Sequence, residues 1–125
     1  MKDKLHTQLN IAVSSRALFN LEPSNALYET QGVTAYTEHQ LSHEQEPLPQ
    51  GMAFNLVQKL ITLNQLPNIS VSIMLISRNS ADTGLRILNS IAHYDLDITR
   101  ATFTNGAAPY PYLKAFDAHL FLSGN

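Results

Sequence analysis

The chain has 125 residues, 44% of them hydrophobic, a net charge of −2 and no cysteine, which makes it one domain or part of one, long enough to bury a sizeable core. This composition excludes disulfides, thiolate chemistry and cysteine zinc sites, and it leaves no basic footprint for nucleic acid or an anionic membrane surface. No apolar run approaches the roughly 18 residues of a spanning helix, and the opening MKDKLHTQLN holds no apolar signal core, so a soluble, cytoplasmic protein is expected.

Residues 8–13 are short, apolar and followed by polar residues, which predicts a buried strand. Residues 24–44 read as a weakly amphipathic helix, with Ser24 capping its first piece and Gly32 interrupting it. Two prolines and a closing glycine make 44–51 a loop. From Met52 the period changes, and Ala53, Leu56, Val57, Leu60 and Ile61 recur at helical spacing to about Asn64. After a turn at Pro67 and Asn68, Ile69 to Ile76 is the strongest strand, and its continuous apolar character predicts burial on both faces. Asp82 or Thr83 caps the next helix, which carries Leu85, Leu88, Ile91 and Ala92 on one side, with His93 beside that stripe as a structural residue. Ile98 to Phe103 is a third strand, Pro109 to Phe116 a short helix with Pro109 or Pro111 in its first turn, and Ala118 to Leu122 a fourth strand.

Alternating strands and helices with short links give the fold class α/β: a parallel sheet of about four strands with helices on both faces. About 55 residues separate the first two strands, where a crossover of about a dozen suffices. The surplus, about 24–50, is expected to be a helical insertion over the sheet edge, acting either as a lid over a ligand or as a flap that packs or dimerises.

Three apolar runs end in short polar stretches: Ser14, Ser15 and Arg16; Ser77, Arg78 and Asn79; Thr104, Asn105 and Gly106. As parallel strands they meet at one sheet edge, beyond the carboxyl ends, where open α/β sheets bind ligands. Hydroxyls, backbone N–H groups and two arginines suit an anion there. Arg16 and Arg78 could clamp phosphate or pair with Glu22 or Asp82. Thr104 to Gly106 could present N–H groups to the anion or form a plain turn. Tyr110 and Tyr112 flank Pro111 and could stack on a base or join the core. His39 and His43, four apart with Glu38, Glu44 and Glu46 nearby, have a spacing that can hold zinc, but without the H-E-x-x-H order they read as a solvated helix face. There is no phosphate loop of the G-x-x-x-x-G-K type and no G-x-S-x-G elbow. No carboxylate ends the first strand, and of the acids near the edge only Asp82 and Glu22 are candidates for magnesium.

Several segments in order resemble the cytosolic 5′-nucleotidase I family of the haloacid dehalogenase-like superfamily: 11–19 (IAVSSRALF), 43–48 (HEQEPL), 77–79 (SRN), 89–95 (NSIAHYD), 112–116 (YLKAF) and 120–123 (LFLS). The likeness covers nearly the whole chain and matches the N-terminal part of the family's longer proteins. It implies a Rossmann-like sheet with a helical cap inserted after the first strand, and magnesium-dependent hydrolysis of nucleoside 5′-monophosphates such as AMP or IMP. It also implies that Ser77 is the hydroxyl that binds the phosphoryl group and that Lys114 balances the phosphate charge. The superfamily's Asp-x-Asp pair, nucleophile and general acid, falls here on Val13 and Ser15. The resemblance places that pair in the later half of the family's chains, in a segment that echoes 17–19 and 43–48. An old duplication is implied, in which this half kept the scaffold and lost the carboxylates. The expectation is a half that binds a nucleotide or phosphate through Ser14, Ser15, Arg16, Ser77, Arg78, Asn79, Thr104 and Lys114, holds no metal by itself and is inactive alone. The alternative is a non-catalytic module that docks on a catalytic half or on a second copy of itself.

Overall fold

The computed structural model describes residues 6–80, 84–98 and 100–124. In chain order the elements are β1 (Thr7–Ser14), α1 (Ser15–Leu18), α2 (Glu22–Ser42), α3 (Phe54–Thr62), β2 (Ile69–Ser77), α4 (Leu85–His93), β3 (Arg100–Phe103), α5 (Tyr110–Phe116) and β4 (Leu120–Leu122), with a 3-10 turn at Leu63–Gln65. The four strands form one all-parallel sheet in the order β3-β2-β1-β4. This is the α/β architecture expected from the alternation of elements, and it is consistent with a Rossmann-like fold.

The period-2 alternation of the two central strands sorts their side chains between two unequal cores. Ile11, Val13, Val71, Ile73 and Leu75 face α1, α3 and α4 in the larger one. There Phe54 and Tyr94 meet edge to face at 4.9 Å, and Phe19 stacks on Tyr94 at 6.0 Å. Ala12, Met74 and Ile76 face the other way, under Phe116, Leu113 and Phe121. Helices therefore cover both faces, but α5 alone covers the second. Towards the amino ends that second face turns polar, with Gln8 donating to Asn10 and to Ser72. Burial of β2 on both faces accordingly holds only from Ile73 to Ser77, and Ser72 is exposed.

The expected face of α3 holds apart from one residue: Val57 is buried, Ala53, Leu60 and Ile61 pack against the core with Phe54, and Leu56 points outward. The expected face of α4 turns out rotated. Its buried residues are Ile87, Ser90 and Ile91 with Arg86, whereas Leu85, Leu88 and Ala92 are exposed. The cause is the loop 44–51, which packs on α4. The Ser90 hydroxyl accepts from the Leu48 N–H at 2.9 Å, and the Tyr94 hydroxyl donates to the Leu48 carbonyl at 2.7 Å. A polar loop backbone requires polar partners, so a serine displaces a leucine from the buried face. His93 is exposed and lies edge-on to the Tyr94 ring.

The insertion is helical, as expected, and Gly32 interrupts it. At φ 89° and ψ −176° only glycine is comfortable, and the two pieces of α2 meet there at a kink. Ser24 does not cap this helix. It lies inside the first turn and is buried, and Leu21 occupies the cap position. The expected caps Asp82 and Thr83 lie outside the described residues, and Gly84 immediately precedes α4. Gly51 closes the loop, where an added Cβ would stand 2.6 Å from the Ala17 carbonyl oxygen.

Candidate functional site

The register brings the carboxyl ends of the strands together. Val13 pairs with Leu75 and with Leu122, Ser14 with Ile76, and Ser77 with Phe103. Beyond them opens a cavity of about 620 Å³. The ends of β1 and β2 and the residues just after them line it with Ser14, Ser15, Arg16, Ile76, Arg78 and Asn79. The insertion supplies Tyr28 and Tyr36, and Leu21, Pro109, Tyr110 and Phe121 line it further, with Gly106 and Ser123. Among the described residues the lining thus holds two arginines and no carboxylate.

The end of β1 is built around Ser14. Its hydroxyl caps α1 by accepting from the Ala17 N–H at 3.1 Å, and it accepts from the Gly124 N–H at 3.2 Å. With both acceptor positions engaged, its one proton remains for a third partner. Ser15 donates to Ser77 at 3.0 Å, and Ser77 accepts from the Asn79 N–H at 3.2 Å. Ser77 is buried beneath Ser15 and is not part of the lining, so its hydroxyl braces the two neighbours that are.

The two arginines differ. Arg16 pairs with Glu22 at 3.0 Å, as one of the two sequence readings expected. Arg78 is exposed and makes no ion pair among the described residues, and its other candidate partner, Asp82, lies outside them. Thr104, Asn105 and Gly106 do not offer N–H groups to an anion. Their amides donate to the carbonyls of Ser77, Asn79 and Arg78, continuing the β2–β3 pairing past the strand ends. The Thr104 hydroxyl donates to the Ala107 carbonyl at 2.7 Å and lies off the cavity. Lys114 is exposed on α5 and also lies off the lining, as does Tyr112, whereas Tyr110 lines it.

Sequence reasoning missed Tyr28, Tyr36 and the buried polar side chains behind them. Arg86 of α4 donates through Nε to the Glu46 carbonyl at 2.9 Å and through a guanidinium nitrogen to Gln40 Oε1 at 3.2 Å. Gln40 Nε2 donates to the Tyr36 hydroxyl at 3.2 Å, and that hydroxyl donates to Asn79 Oδ1 at 3.0 Å. Asn79 Nδ2 is buried with no hydrogen-bond partner among the described residues. Burial lowers the Arg86 pKa, against the pull of Glu46 and Tyr36. The one available signal was the weak amphipathicity of 24–44, since a helix whose polar residues are spread round it holds some of them inward.

His39 and His43 stack at 4.1 Å. Burial, then His43 and Arg86, lower the pKa of His39, with Glu46 opposing. Among the described residues no three His, Asp or Glu side chains are grouped to hold a metal ion. Magnesium favours carboxylate oxygens, and the described residues of the lining have none, so those residues do not fit that ion.

A family model described as 5′-nucleotidase matches residues 1–125. The chain belongs to the 5′-nucleotidase family. It is 36% identical over 124 residues to human cytosolic 5′-nucleotidase 1B, an alignment covering 94% of this chain and 20% of that protein. The chain therefore spans a small part of the length of the curated relative it matches. No solved structure matches it. The two positions that the family resemblance assigns to the aspartate pair lie in β1 (Val13) and at the start of α1 (Ser15). Val13 is fully buried within the strand, and Ser15 holds Ser77. No helix among the described residues is long and apolar enough to cross a membrane.

Proposed function

We propose that this chain is the part of a cytoplasmic 5′-nucleotidase that holds a nucleoside monophosphate by its phosphate, while the carboxylate that attacks phosphorus comes from another segment or chain. The observation that carries the reading is the cavity at the sheet's carboxyl edge, lined among the described residues by two arginines and no acid. Its volume suits a small ligand. Arg78, which has no ion-pair partner among the described residues, would take phosphate oxygens in a charge-assisted fork, and the Ser14 proton would take another. Tyr28, Tyr36 and Tyr110 offer ring surface to a base. Hydrolysis by this chain alone lacks a first step, because neither Val13 nor Ser15 supplies a carboxylate nucleophile and, among the described residues, Ser15 is bonded to Ser77 rather than to a base.

A second reading, a dimerisation or docking module, is favoured by the sheet edge. β4 is a three-residue edge strand, and Leu120 on it is 46% exposed.

Thermal melts and calorimetry with AMP, IMP, inorganic phosphate and adenosine test the first reading. AMP raises Tm, since a ligand of the native state stabilises by mass action, and adenosine does so less. No phosphate is released from AMP with magnesium or with EDTA. Magnesium-dependent turnover would overturn the assignment of the nucleophile to another segment. No response to any ligand, together with a dimer in sedimentation, would establish the second reading.

A further inference from the structure

The polar side chains that run from α4 through α2 to the loop after β2 have a direction. A guanidinium carries only donors. Arg86 therefore fixes the oxygen of the Gln40 amide towards itself, and the Gln40 nitrogen must face Tyr36. Tyr36 accepts that N–H, so its single proton goes to Asn79 Oδ1. With its oxygen taken, Asn79 is left with Nδ2 as the uncommitted end, and that nitrogen is buried with no partner among the described residues. Gln40 is 1% exposed, so water does not compete for these roles. A buried donor left unmade is costly, and Asn79 lines the cavity.

From this polarity we infer that Arg86, Gln40 and Tyr36 are positioning residues that keep Asn79 a hydrogen-bond donor whose Nδ2, shielded in the ligand-free chain, turns slightly to meet a ligand, so that the cavity selects a ligand placing an acceptor atom against Asn79 and disfavours one placing a donor there. The inference rests on the cavity's being the nucleotide site. The acceptor is a phosphate oxygen or an acceptor on the base, and comparison of inorganic phosphate with AMP separates the two.

The decisive variant is Gln40→Glu. Both oxygens of the new carboxylate accept, one from Arg86 and the other from Tyr36. Tyr36 then spends its proton on residue 40 and offers a lone pair to Asn79, whose amide turns over and presents oxygen to the ligand. The hydrogen bond from Arg86 is kept, now to a carboxylate, so a merely structural role does not weaken binding. Reversed polarity instead weakens binding about tenfold, the scale of one hydrogen bond replaced by a repulsive contact. Gln40→Met and Tyr36→Phe break the chain without reversing it and fall between. If phosphate and AMP both weaken, the acceptor is a phosphate oxygen; if AMP alone weakens, it is on the base.

A ligand-free measurement keeps the two readings apart. The Asn79 side-chain amide resonances, identified by their loss in Asn79→Ala, lie at non-hydrogen-bonded shifts in the wild type, and one moves downfield in Gln40→Glu. Unmoved resonances, or equal AMP affinities for wild type and Gln40→Glu, would overturn the inference. If the resonance moves while the wild type binds neither AMP nor phosphate, the donor chain stands and the cavity is not the nucleotide site.

Discussion

Replacing Ser90 by alanine removes the partner of a main-chain N–H that has no access to solvent. Leu48 is 1% exposed and Ser90 is fully buried, so the amide that the hydroxyl served at 2.9 Å is left bare. An unsatisfied buried donor costs about 1–3 kcal/mol. The hydroxyl's own bond to the Arg86 carbonyl, one turn back along α4, matters less, because that carbonyl keeps its helical partner. Alanine's higher helix propensity returns about 0.5 kcal/mol. The expected loss is therefore about 0.5–2.5 kcal/mol. An unfolding entropy of about 2.1 cal/mol/K per residue gives ~0.26 kcal/mol/K for a chain of this size, so Tm falls by about 2–10 °C. Urea melts measured alongside should show a lower midpoint at an unchanged slope. Asn89→Ala, which removes only a half-buried bond to the Glu44 carbonyl, costs less. A Ser90→Ala protein as stable as wild type would refute the view that this hydroxyl ties the insertion to the sheet.

Arg78, exposed at the cavity, and Arg16, paired with Glu22, should separate in calorimetry: Arg78→Ala weakens AMP binding by about tenfold or more, the scale of a charge-assisted bond, and Arg16→Ala by less. Lys114→Ala, exposed and off the lining, leaves AMP affinity within about twofold, because it removes no buried or bonded group; a large loss would return Lys114 to the site. The lowered pKa of His39 means that the unfolded chain binds the proton more tightly, so its contribution to stability is whole above the unfolded value of 6.5 and declines as pH falls through 6.5 towards the lower folded value. Urea midpoints at pH 7.5 and 5.5 should therefore differ more for wild type than for His39→Gln, and equal differences would remove His39 from the account.

Much of this chain was legible because it is local. The apolar runs 8–13 and 69–76 place β1 and β2 within a residue or so of their bounds, Gly32 marks the break in α2, and Pro109 opens α5. A strand's period and a helix's interruption are written in consecutive residues. That three polar stretches share one edge follows from parallel order, and the register confirms it at Ser14 and Ser77. The tertiary structure decided which of those groups face the cavity. Ser77 went beneath Ser15, and the amides of Thr104 to Gly106 went to the carbonyls across β2. Packing also turned α4 so that Ser90 and Arg86, rather than Leu85 and Leu88, lie inward. Hydrophobic spacing ranks faces by apolar content alone and cannot see a loop some 40 residues away whose backbone needs donors and acceptors. For the same reason the line from Arg86 to Asn79 was invisible in the sequence, since each of its members is an ordinary polar residue until the fold brings them into contact and burial makes their hydrogen bonds obligatory.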